Sequence, residues 1–113
     1  MSQNLIRAEK VLNFPNNVDY KARMSLDVVM NIENSLGSIM KLALRFSEGD
    51  VTQTEVMTIL TLAIRGGGND VKNSDIKNLM DEMGIPEATK MAGEVLAIAL
   101  STGDKVDQKK SEA

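Results

Sequence analysis

The glycine run in Ala63-Ile64-Arg65-Gly66-Gly67-Gly68-Asn69 is where backbone chemistry would be sought first. Phosphate loops use glycine so that amides can turn toward an anion, but they also carry a Lys and a Ser or Thr that open a helix. Here the glycines follow a helical pattern and no Gly-Lys-Ser/Thr appears, which puts them at the negative end of the helix dipole. The sequence predicts a helix stop and a flexible turn there rather than an anion site. Asp70, Lys72, Ser74 and Asp81 approach the spacing of a calcium loop. A cation in the ligand set, a missing mid-loop glycine and a final Asp in place of Glu argue against a metal. The carboxylate pairs Asp81-Glu82 and Glu87/Glu94 are the remaining acid–base candidates. Each falls on the polar side of its helix, where a solvated charge belongs.

Cysteine and histidine are both absent. That removes thiolate nucleophiles, imidazole bases, disulfides and zinc sites built on Cys or His. The expectation is a protein that is not an enzyme and has no cofactor. The 113 residues make one domain, and 42% apolar with 26% charged residues is ordinary globular composition. The formal charge is −3, and Arg7, Lys10, Lys21 and Arg23 alternate with Glu9 and Asp19. A nucleic-acid partner needs a concentrated basic face, so none is expected. No apolar stretch reaches the roughly 20 residues of a membrane span, and the first residues lack the apolar core of a signal peptide. The expected location is the cytoplasm.

The elements that would position any site follow from periodicity. Val18, Tyr20, Ala22 and Met24 alternate with charged residues, Leu12 and Phe14 alternate before them, and Pro15-Asn16-Asn17 is a turn. This predicts an N-terminal β-hairpin. From Ser25, a cap residue, the period becomes helical, with Leu26, Val29, Met30 and Leu36 as the apolar stripe and Gly37 as the stop. A second helix carries Ile39, Leu42, Ala43 and Phe46. A third opens on a Thr52/Glu55 capping box, carries Val56, Ile59, Leu60 and Ala63, and stops at the glycines. Ser74 caps a fourth with Ile76, Leu79, Met80 and Met83, and Pro86 starts a fifth that ends before Gly103. The fold class is therefore mainly α (α+β): a hairpin followed by about five short helices in a compact bundle. Residues 1–103 form the domain and 104–113 a charged, disordered tail.

Two features point to binding. Glu33 lies inside the apolar arc of the first helix; it either reaches solvent at the edge or is partly buried and paired with Arg45 or Arg65. The third and last helices carry more apolar surface than one core contact needs. Either both are buried on two sides, or flanks bearing Met57, Leu62, Ile64, Leu96 and Leu100 bind another chain. Met40 and Leu44, off the main stripe of the second helix, are further partner-contact candidates, and eight methionines suit an adaptable surface.

The pieces Lys21-Ala22-Arg23-Met24, Ile32-Glu33, Leu36-Gly37, Leu44-Arg45-Phe46, Glu48-Gly49-Asp50-Val51-Thr52 and Leu62-Ala63-Ile64-Arg65-Gly66-Gly67-Gly68 together carry a resemblance. From about Ala8 to Leu100 the chain resembles tail assembly chaperones of tailed phages and gene transfer agents, proteins also labelled phage tail tube proteins of the gene transfer agent type. The small–apolar–Arg–Gly–Gly–Gly segment is the most specific part. The resemblance implies a non-enzymatic chaperone that binds the tape measure protein and tail tube subunits during assembly in the bacterial host, with several copies acting together as a homo-oligomer. The alternative is a structural tail component, tube or completion protein, retained in the particle. A small DNA-binding regulator is a third class, and it predicts salt-dependent binding.

Overall fold

The computed structural model describes the backbone of residues 9–112 and the side chains of residues 9–101; Ala8 and the residues before it, and Ala113, lie outside the described residues. Alternation decides the first motif. β1 (Glu9–Phe14) and β2 (Val18–Arg23) pair antiparallel, with Lys10 opposite Ala22, Leu12 opposite Tyr20 and Phe14 opposite Val18. On that face Leu12, Phe14 and Ala22 are buried, and the Phe14 and Tyr20 rings meet edge-on with centroids 5.9 Å apart. In the turn, Asn16 and Asn17 take φ of 65° and 60°, the left-handed region that Asn tolerates better than most residues.

Five helices follow: α1 (Leu26–Leu36), α2 (Ile39–Ser47), α3 (Gln53–Gly66), α4 (Asn73–Met83) and α5 (Ile85–Glu112). Ser25 Oγ accepts from the Val28 amide, and Thr52 and Glu55 each accept from the other's backbone at 3.1 and 3.0 Å. These caps satisfy amides that the first helical turn leaves without partners. The start of α4 differs from expectation: Ser74 is not its cap. The Lys72 amide instead donates to Asp75 Oδ2 at 2.9 Å, and the helix begins at Asn73. The end of α5 also differs, since its backbone continues past Gly103 to Glu112 where a stop is expected. One interior glycine costs a helix only about 1 kcal/mol against alanine, and the Lys, Gln and Glu residues beyond it are good helix formers.

α3 is the central element, packed against β2, α1, α4 and α5. Val56, Ile59, Leu60, Ala63 and Ile64 are all 0% exposed. Its surplus of apolar positions is thus consumed by neighbours on several sides, and burial within the monomer accounts for it. Phase is the other correction. In α1 the buried pair is Val28 and Ile32, while Leu26 is 72% and Met30 51% exposed. The α1 sequence is apolar on more than one side, so the periodicity left the choice open. The glycines made it. At Gly66 a Cβ would overlap Val28 Cγ2 and lie 2.9 Å from the Arg23 carbonyl oxygen, so the end of α3, the end of β2 and the Val28 side of α1 meet without a side chain between them.

Candidate partner-binding surface

The surface begins with α2, which is anchored from both ends. At its start the Ile39 amide donates to Glu33 Oε2 at 3.0 Å and the Lys41 amide to Ser38 Oγ at 3.3 Å. At its end Arg45 Nη2 donates to Glu55 Oε1 at 2.8 Å, and Arg45 Nε donates to the Asp50 carbonyl oxygen at 3.1 Å. The hydrogen bond from Arg45 holds the Glu55 carboxyl below the usual carboxylate range; burial opposes the shift and the Thr52 amide adds to it. The same bond raises the Arg45 guanidinium. Because Glu55 also caps α3, one carboxylate joins the end of α2 to the start of α3.

With Ile39 and Leu42 buried, helical spacing puts Met40, Ala43, Leu44 and Ser47 together on another side of α2. Met40 is 65% and Leu44 59% exposed. Ala43 and Ser47, with Phe46, form one wall of a cavity of about 360 Å³, and Gly93, Leu96, Ala97 and Leu100 of α5 form the other. An exposed apolar ridge therefore runs into an apolar groove along a single helix face. A second cavity of about 350 Å³, between α3 and α4, is lined by Met57, Met80 and Ile85.

The residues singled out from the sequence divide accordingly. Met40 and Leu44 stand on the exposed ridge; Leu100 is half-buried in the first cavity and Met57 in the second. Leu62 is half-buried against the core. Leu96, at 2% exposure, contributes only to the first cavity's floor. Ile64 is wholly inside the core, so it is a packing residue and not a surface one. Leu26 and Met30, expected in the buried stripe of α1, are exposed instead, and so is Ile85, which periodicity does not single out.

Glu33 neither reaches freely into solvent nor pairs with the expected arginines. It caps α2, Arg45 goes to Glu55, and Arg65 Nε donates to the Val71 carbonyl oxygen at 2.8 Å, which holds the loop after α3. Gly66 and Gly67 are close-packing positions instead of a flexible turn, and Gly68, at φ 98°, makes the left-handed step. Asp81, Glu82, Glu87 and Glu94 are all exposed. Among the described residues no group of carboxylates could hold a metal ion, and no helix is long and apolar enough to cross a membrane.

The profile of the family described as "Phage tail tube protein, GTA-gp10" matches residues 7–102, nearly the whole chain. The chain belongs to this family. No curated protein and no solved structure matches it. Membership in the GTA-gp10 tail tube family makes the chain a phage tail component. The matched span contains the hairpin, the Arg65-Gly66-Gly67-Gly68 segment, and both walls of the α2–α5 groove. Its description names the tube, which favours a structural tail component over a chaperone.

Proposed function

We propose that this tail protein works by contact alone, without catalysis, as an assembly chaperone whose α2–α5 groove receives an amphipathic helix of the tape measure protein. Tail tube subunits would be its second partner, and the host cytoplasm its place of action. The observation that carries this reading is the continuity of the exposed Met40 and Leu44 ridge with the apolar groove ending at Leu100. A groove between two helices accepts a third helix through apolar anchors one turn apart, and methionine adapts to more than one such sequence. The small residues Ala43, Gly93 and Ala97 in the walls leave room for those anchors.

The second reading, a structural component of the tube kept in the particle, is favoured by the family's description. Two measurements separate them. Co-expression with tape measure fragments should keep those fragments soluble, and Leu44→Lys should abolish the rescue. Mass spectrometry of purified particles should find the chain absent. Abundant copies in the particle, with no solubility rescue, would establish the structural role instead.

A further inference from the structure

The hairpin has an open edge whose donors and acceptors can be assigned. The Lys21 carbonyl accepts from Asn69 Nδ2 at 2.9 Å, so Lys21 turns its backbone polar groups away from β1. In an antiparallel pair the residue opposite does the same, and Lys21 lies opposite Val11. The two-residue period extends this to Glu9 and Asn13. The outward N–H and C=O groups of Glu9, Val11 and Asn13 have no bond among the described residues. Val11 is also 55% exposed, an apolar β-branched side chain standing on that edge.

We infer that β1 is a self-association edge, and that a second copy of this chain adds its own β1 antiparallel to it. A two-fold axis at Val11 sets Val11 opposite Val11 of the second copy and Glu9 opposite Asn13 of the second copy. All three outward-facing residues then meet outward-facing residues, each pair exchanging two backbone hydrogen bonds. Lys10 falls opposite Leu12, so no like charge lies directly opposite another, an arrangement that would otherwise oppose pairing. The joined hairpins make a four-stranded sheet and set the two Val11 side chains side by side on one face. Beside the edge, a cavity of about 230 Å³ between β1 and α5 carries Lys10, Glu87, Lys90 and Glu94. This balanced row of both signs suits a like copy better than a strongly charged ligand. The inference does not depend on the α2–α5 groove, whose lining has only Lys90 in common with this cavity.

The test uses the full chain in two variants. Val11→Pro removes one outward amide and no β1–β2 bond, since proline is tolerated where a strand's N–H faces away from its partner. Val11→Lys sets like charges across the axis. Light scattering after size exclusion should give twice the 12.3 kDa chain mass for the unaltered protein, falling to 12.3 kDa in both variants with the helical circular dichroism unchanged. Should Val11→Pro fail to fold, Val11→Lys decides alone. Amide exchange at Glu9, Val11 and Asn13 should slow as the unaltered chain is concentrated. A monomer throughout the concentration series, or a dimer that survives Val11→Lys, would overturn the inference.

Discussion

Gly67 and Lys21 touch backbone to backbone: a Cβ on Gly67 would overlap the Lys21 carbonyl oxygen. The same oxygen accepts from Asn69 Nδ2, which also donates to the Ile64 carbonyl at 3.1 Å. The end of α3 is thereby fastened to β2 through one carbonyl. Gly67→Ala should destabilise the fold by roughly 2–3 kcal/mol, the scale of overpacking against a rigid neighbour. Gly68→Ala meets no atom within 4 Å and strains only its φ of 98°, so it should cost less, about 1 kcal/mol. Chemical denaturation of both variants checks the order. Equal losses would mean that the crossing yields to a Cβ at Gly67 at little cost.

Glu55 serves two helices at once, as cap for α3 and acceptor for Arg45. Glu55→Ala should lose about 1 kcal/mol from the cap alone. The carboxyl's pKa is lowered in the folded state. Its contribution is therefore complete above the unfolded-state value and is lost as pH falls through the folded-state one. Denaturation midpoints recorded from neutral to acid should converge for the native chain and Glu55→Gln as pH falls. A constant gap across that range would remove the charge from the explanation.

Burial separates contact residues from packing residues. Leu44→Lys changes an exposed position and should leave stability within about 0.5 kcal/mol while abolishing tape measure rescue. Ile64→Ala empties part of the core and should cost about 2–5 kcal/mol. Thermal melts paired with the co-expression assay read both effects. Loss of stability in Leu44→Lys would show that the ridge is part of the core.

Thr61 is 1% exposed, and its hydroxyl oxygen has no hydrogen-bond partner among the described residues. A buried polar group without a partner carries a desolvation penalty of roughly 1–3 kcal/mol, and valine has nearly the same shape. Thr61→Val should raise stability by about 1 kcal/mol, seen as a higher Tm. A lower Tm would place an unseen partner on that hydroxyl.

Much of the architecture was legible along the chain because its signals are local. The alternation of Val18, Tyr20, Ala22 and Met24, the capping residues Ser25 and Thr52 with Glu55, and the stop at Gly37 act within a few residues of themselves. Glu33 was misread for the opposite reason. Its acceptor meets an amide in the next helix, and nothing in its own heptad announces that.

The sequence by itself determined the element order, the lack of Cys and His chemistry, and the family, since composition, period and motif need no third dimension. Only the tertiary structure decided which apolar surface stays outside. α3 became the buried centre, while Leu26, Met30, Met40 and Leu44 were left in water. Hydrophobic burial is non-directional, so an apolar residue seeks cover without specifying a neighbour. Which residues obtain it depends on where α3 can approach β2 and α1, and the contact points at Gly66 and Gly67 set that approach.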